Sequence, residues 1–488
     1  MPSWGQVRYP EGANSITGNV HMADDRLGLM AHLLRRAGFG ASRDELEAYA
    51  ARPYEEVVED LLHPERFPEV DEDVLNRYYP TLANQDNVPV WNGRWFYRMV
   101  NSPRPLQEKM TLFWHHVFAT GWTKSEHTPT MVSHIEMFRR DGLGNLRTLL
   151  LDLSKDPAMS YWLDNCENHG GRINENYGRE LLELFSMGIG NYTETDIKNV
   201  ARAFTGWTFE QPVPLYPYGQ FPSRFVYRAD DHDDSEKTFL GHTGRFNGED
   251  IIEIIVKQEA AAKFIARHLY NFFVADEPQV PSWSVEPPQD QAAIDTLVRA
   301  YLDSDADIRS VLRVLFNAEF FKMARFQKVK SPVELVAGTL KLSGDFREVE
   351  IGLLTLDATT TAMGQRLMDP PTVEGWHTGH EWLDGGTLTE RVNFAVNQVK
   401  DVSKPGPRAI VQRLRAEGRP IGPQELVDRC LDLAGPLEVS PETHQALLAL
   451  AEQDGELRFE TDAERAEGER RVIRILTLIV AAPEYQFA

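Results

Sequence analysis

Asn174-Glu175-Asn176-Tyr177-Gly178-Arg179-Glu180-Leu181-Leu182-Glu183-Leu184-Phe185-Ser186-Met187-Gly188 is the stretch around which the rest of the chain can be ordered. At about 100° per residue, Glu175, Asn176, Arg179, Glu180 and Glu183 share one arc of a helix, while Tyr177, Leu181, Leu182, Leu184 and Phe185 share the other. The pattern predicts an amphipathic helix with a carboxylate-rich polar face, stopped by Gly188. Arg179 lies one turn after Glu175 and one turn before Glu183, so one cation is placed to bind a carboxylate on each side. If that network is buried, removing the cation leaves two carboxylates facing each other, at a cost of ~3 kcal/mol. The alternative is a solvated charged face.

Working outward, the segment before this helix is polar, and Leu106 to Thr120 upstream of it reads as a strong helix carrying Trp114, His115 and His116. Neighbouring histidines on a helix point about 100° apart, so they do not face one metal together. A single histidine beside aromatics is either a satisfied core residue or a general acid–base tuned by burial. On the other side, Thr193 and Asp196 form a capping box that opens the next helix, which stops at Thr205-Gly206-Trp207. Residues 208–247 then turn to Pro, Tyr, Phe and Gly with alternating apolar positions, which predicts a small β-hairpin or extended insertion. It holds Asp230-Asp231-His232-Asp233-Asp234, either a divalent-cation and acid–base cluster or a solvated acidic turn.

Elsewhere the periodicity is helical. Ser42 with Glu45, and Ser331-Pro332, are helix starts. Asp250 to Phe273 reads as one long helix, 352–368 as another, and 155–173 as a polar turn region. Arg35 and Arg36 end the first helix and are read as caps on its own C-terminus or as an anion site. Residues 1–25 read as an irregular arm and 26–488 as one large helical domain. The expected fold class is therefore mainly α.

Composition narrows the function. Lys and Arg total 51 against 74 Asp and Glu, a net charge of −23, which disfavours nucleic acid and anionic membranes as partners. The two cysteines, Cys166 and Cys430, make neither a disulfide framework nor a four-cysteine zinc site. No window is long and apolar enough for a membrane span, and Met1 to Asp25 lacks a signal-peptide core. A cytoplasmic location is expected, with export by an unrecognised route as the alternative. Nucleotide-binding glycine loops, His-Glu-x-x-His, Gly-x-Ser-x-Gly and paired Glu-x-x-His motifs are all missing. Within Thr372 to Trp382, His377 and His380 with Glu374 or Glu381 have the residue types of a metal site, but their glycine-flanked spacing fixes no geometry. The cofactor is left open, a divalent cation being the one candidate.

Six phrases taken together resemble a known family: His32-Leu33-Leu34-Arg35-Arg36-Ala37-Gly38-Phe39-Gly40, Phe113-Trp114-His115-His116-Val117-Phe118-Ala119-Thr120, Asn174 to Phe185, Ala203-Phe204-Thr205-Gly206-Trp207, Lys237-Thr238-Phe239-Leu240-Gly241 and Pro370-Pro371-Thr372-Val373-Glu374-Gly375-Trp376. In this order they resemble the large bacterial family catalogued as domain of unknown function 1800. The resemblance implies a mainly helical fold without a settled activity. It also implies a genomic association with proteins like those of the alkaline phosphatase and sulfatase superfamily, and hence a candidate partner among them. Many members of that family look exported, and the His377 and His380 pair departs from the family's loop.

Two functions are carried forward. The first is an enzyme, a hydrolase of a polar or carbohydrate-like substrate, with Glu180, Glu183, His116 and Asp233 as catalytic candidates. Glu175, Asn176, Arg179, Trp114, Trp207, His232 and Trp376 are its binding candidates. Glu180 and Glu183 have Cβ atoms about 5–6 Å apart at this spacing, but leave one helix in parallel, which suits a two-sided glycosidase pair poorly. The second is a binding or assembly protein in which the polar helix is a paired structural network. The motifs at 114–118, 174–183 and 374–376 are expected to meet in one cleft.

Overall fold

Several helix starts in this chain are set by side-chain caps, and the computed structural model describes residues 26–78, 87–212, 221–278 and 282–488. The expected arm at 1–25 lies outside the described residues. Reciprocal capping boxes of Ser42 with Glu45, Thr193 with Asp196 and Ser331 with Glu334 open the helices Arg43–Ala50, Glu194–Ala203 and Pro332–Ser343. Each box satisfies two backbone N–H groups that the first helical turn leaves without partners. Twenty-four α-helices are present among the described residues, so the chain is mainly α.

Three sequence expectations are corrected by local chemistry. The long helix expected over Asp250 to Phe273 is two, Gly248–Val256 and Glu259–Phe273, because Gln258 adopts an extended conformation between them. The one expected over 352–368 shortens to Thr355–Ala362 behind a 3-10 turn at Ile351–Leu354. The polar region at 155–173 contains the helix Pro157–Trp162, started by Pro157 and by Asp156, which accepts the Met159 N–H.

The β content of the insertion is two antiparallel pairs rather than one hairpin. Trp207–Glu210 pairs with Arg224–Tyr227, and Lys237–Phe239 pairs with His242–Gly244. Residues 213–220 lie outside the described residues.

One cluster of buried hydrophobic side chains runs from Met30 to Tyr485, and Val329, Trp376 and Trp382 form a small second one. Three helix contacts position the site. The Pro105–Val117 helix packs on Thr128–Asp141, Asn176–Glu183 packs on Glu194–Ala203, and Glu259–Phe273 packs on Gln291–Asp303. Gly178 permits the second of these, since a Cβ there would meet the Ala201 nitrogen at 3.1 Å and the Ile197 carbonyl oxygen at 3.3 Å.

Arg36 does not cap its own helix as expected. It is fully buried and donates to the carbonyls of Phe272 and Phe273 at the C-terminus of the Glu259–Phe273 helix. A guanidinium there satisfies orphan carbonyls and opposes the helix dipole. Cys166 and Cys430 are both free thiols. Among the described residues no helix is long and apolar enough to cross a membrane.

Candidate functional site

The central helix is Asn176–Glu183, shorter than its sequence pattern implies. Asn174 Oδ1 accepts the Asn176 N–H at 3.0 Å, and the Asn176 amide reaches Asp164 at 3.3 Å, so the helix start is tied to the preceding loop. On the apolar side Tyr177 is buried and its hydroxyl meets Ser154 Oγ at 2.6 Å. Past Glu183 the chain turns back, with the Gly188 N–H on the Leu182 carbonyl at 3.0 Å and Gly188 at φ +78°.

The polar arc differs from the sequence expectation in one partner. Arg179 lies 3.5 Å from Glu175, but its second carboxylate is Glu194 of the next helix, gripped bidentately at 2.9 and 3.0 Å. Glu183 instead accepts from the Tyr192 hydroxyl at 3.1 Å. The Arg179 network is not buried: the arginine side chain is 36% exposed and that of Glu194 70%.

The Glu180 carboxyl is left without a hydrogen-bond or ion-pair partner among the described residues, though the residue is half-buried. Burial, then the neighbouring Glu183 carboxylate, and then Glu374 beyond the opposing Arg179, raise its carboxyl to about 7. Glu374 belongs to the 372–376 loop.

That loop is built on His116, which sits in the last turn of the Pro105–Val117 helix. The Trp376 N–H points at His116 Nδ1 at 3.4 Å, and the two rings lie nearly parallel with centroids 6.3 Å apart. Gly375, at φ +91°, is required at the crossing, because a Cβ would lie 2.5 Å from the His116 carbonyl oxygen and 2.7 Å from Nδ1. Burial, and then Lys328, push the His116 imidazole down to about 4. It is therefore neutral at physiological pH, and with Nδ1 accepting it carries its proton on Nε2.

Three other histidines are fixed by packing and hydrogen bonds. His115 accepts the Met368 N–H at 3.0 Å and meets Trp376 edge-on at 5.0 Å. His134 is held by Asp156 at 2.8 Å. His268 is buried against Phe264 and Trp283, both at 4.5 Å between centroids, and burial holds it well below its ordinary range.

On the other flank of the central helix, Glu183 lines a cavity of about 270 Å³ with Ile189, Lys263, Phe264, Arg267 and Trp283. Arg267 lies over Trp283 at 4.7 Å and pairs with buried Glu277 at 2.8 Å. One wall of this cavity is thus aromatic and fixed, and the other carries a carboxylate.

The remaining sequence candidates lie elsewhere. Trp114 is wholly buried, donates to the Gly142 carbonyl at 2.8 Å and stacks on Phe118, which meets Phe185 beyond the central helix; it is a core residue. Trp207 is equally buried and donates to Asn247 at 2.8 Å, with Phe204 and Phe225 edge-on to it. His232 is spent on the Thr205 carbonyl at 2.9 Å.

Burial works to raise the Asp233 carboxyl, but its pair with Arg202 at 2.7 Å and the hydrogen bonds it accepts from Ser235 hold it far below the usual range. Arg202 is eight residues along the helix from Glu194, about 12 Å at 1.5 Å per residue, so Asp233 belongs to the far end of that helix and not to the Glu180 face. His377 is paired with Glu381 at 2.6 Å. No group of three or more His, Cys, Asp or Glu side chains among the described residues is arranged to hold a metal ion.

Sequence reasoning missed Lys263, Arg267, Trp283, His268 and Tyr192. Their only local signal was position on, or next to, helices already assigned to the core. Glu194, the bidentate partner of Arg179, follows the capping residue Thr193, and nothing in its local sequence marks it as that partner.

A family model described as "Protein of unknown function (DUF1800)" matches residues 32–487. No curated protein and no solved structure matches the chain. The matched span takes in the central helix, His116 and the 372–376 loop, and with nearly the whole sequence inside it, this chain belongs to the DUF1800 family.

Proposed function

We propose that the chain is a hydrolase of a polar, carbohydrate-like substrate, with Glu180 as its general acid. The observation that carries this reading is the half-buried Glu180 carboxyl, unpaired among the described residues, one helical turn from Glu183 and its cavity. A structural network would have paired it, since a half-buried carboxyl without a partner is costly. A carboxyl that holds its proton near neutrality is suited to protonate a leaving oxygen.

The second carboxylate has to come from another element, because Glu180 and Glu183 project in parallel and cannot take opposite sides of one bond. Glu374 meets that requirement. It is exposed, comes from the 372–376 loop, and lies close enough to raise the Glu180 carboxyl. In this scheme Glu374 takes a proton from the attacking water as Glu180 gives its own to the leaving group. His116, neutral with Nε2–H as a donor, orients substrate and does not act as the base. Trp283 and Phe264 supply flat apolar surface for a sugar ring.

The test is turnover of p-nitrophenyl glycosides and p-nitrophenyl esters. Glu180→Gln is expected to abolish turnover and Glu374→Gln to lower it at least tenfold, both without loss of folding. Activity of the Glu180→Gln protein within twofold of wild type refutes the assignment. The second reading, an assembly protein, is favoured by the bidentate Arg179–Glu194 pair and the Tyr192–Glu183 bond, which tie the central helix to its successor. It gains if none of these probes is turned over by the wild-type protein.

A further inference from the structure

Around Glu334 the protein interior gathers more buried basic side chains than buried carboxylates. Glu334 binds Lys109 directly and lies 3.8 Å from Arg36. Lys330 and Arg391 are also within its field, both buried. Lys330 donates to the Tyr485 carbonyl at 2.8 Å, a neutral partner. Arg391 is bonded to Gln486 and to the Lys330 carbonyl, but its Nη1 has no hydrogen-bond partner. Such an excess is expensive in the interior of any protein, and more conspicuous in one whose net charge is −23.

Arg35 completes the set. Its Nη1 donates to the Gly435 carbonyl at 2.7 Å, while Nε and Nη2 are both buried and make no hydrogen bond. Those two nitrogens form one edge of the guanidinium, the edge that grips an oxyanion bidentately. Arg35 and Lys330 both line a cavity of about 60 Å³, with Glu334, Gly435, Leu437 and Tyr485 also on its walls. At roughly 10–15 Å³ per water, this holds about four to six water-sized atoms, enough for the five heavy atoms of a tetrahedral oxyanion. A groove of about 340 Å³ shares Ala41, Leu46, Leu342, Ala434 and Gly435 with it and gives a route of entry from the surface.

We propose that this cavity binds a free tetrahedral oxyanion, inorganic phosphate or sulfate, on the Nε–Nη2 edge of Arg35 with Lys330 Nζ as second ligand. The site is separate from the Glu180 face and does not depend on the activity proposed there. Glu334 does not exclude the anion, because its charge is engaged by Lys109 and Arg36.

The experiment is titration of the full chain with sodium phosphate and with sodium sulfate at ionic strength held constant with sodium chloride, read by calorimetry and by thermal melting. Saturable binding with a rise in melting temperature is expected. Arg35→Gln is expected to weaken it at least tenfold. Ala434→Leu keeps every charge but fills the shared wall, and is expected to weaken binding equally, so it decides the matter if the Arg35 variant does not fold. The proposal is overturned by the lack of a saturable phosphate or sulfate effect in the wild type, or by binding that survives Ala434→Leu in a folded protein. It is also overturned if phenyl phosphate binds and neither inorganic ion does, which would assign the cavity to a larger phosphomonoester.

Discussion

Replacing Glu180 by glutamine should make the protein more stable at alkaline pH, because the native carboxyl sits where its charged form is disfavoured. Burial, Glu183 and Glu374 raise it from 4.5 to about 7. By proton linkage, the difference between those two values is worth ~3.4 kcal/mol when undiscounted. The side chain is only half-buried, and solvent screens its neighbours' charges, so about 1–2 kcal/mol is the realistic figure. The sign follows from the raised folded value. The stability associated with the protonated form is fully present below about 4.5, falls as pH climbs, and is lost once pH has passed through about 7. A glutamine amide at this position does not titrate and escapes that loss. Urea unfolding of the wild type and Glu180→Gln at a series of pH values from 4.5 to 8.5 should therefore give a difference near zero at the acid end, growing in favour of the variant to a plateau above pH 7. Parallel curves, or a variant that is the less stable protein at pH 8, would refute both the raised value and its physical cause.

Further outcomes follow from the same geometry. Arg179→Ala should cost only about 0.5–1 kcal/mol in urea unfolding, the range of exposed ion pairs, because its network with Glu175 and Glu194 faces solvent; the ~3 kcal/mol of a buried pair would show that the network closes in solution. Glu334→Ala should cost about 3–5 kcal/mol by the same measurement, since it leaves Lys109 and Arg36 buried without their carboxylate. Gly375→Ala should lose about 1–2 kcal/mol from its left-handed backbone alone, and displace Trp376 from His116, visible as a change in tryptophan fluorescence; unchanged emission would remove the loop from the site. Thiol titration should find two free cysteines after denaturation, with Cys430 unreactive in the native protein because burial raises it to about 12.

The sequence alone determined what depends on near neighbours. Capping boxes at Ser42, Thr193 and Ser331 are chemistry within three residues, and they open helices as read. The apolar face of the central helix, with Tyr177, Leu181 and Leu182 buried, follows from a 3.6-residue period. Family membership was legible for the same reason, being a matter of ordered phrases. Only the tertiary structure decided which polar groups find partners. Arg179 had Glu183 at the right spacing, but Glu194 approaches from the adjacent helix with both oxygens, and a bidentate pair outcompetes a single i, i+4 contact. That choice ties Arg179 to the next helix, while Tyr192 takes Glu183 and Glu180 is left unpaired among the described residues. Asp233 and Glu180 look alike as carboxylates in polar runs; Arg202 pairs with one, while burial, with Glu183 and Glu374, raises the other to about 7. Arg36 caps a helix that begins more than two hundred residues later in the chain, and Arg35, its neighbour, is left with an open edge in a cavity. No local pattern encodes such pairings, because a charge interacts with whatever the fold brings within a few ångströms and not with what lies beside it in sequence.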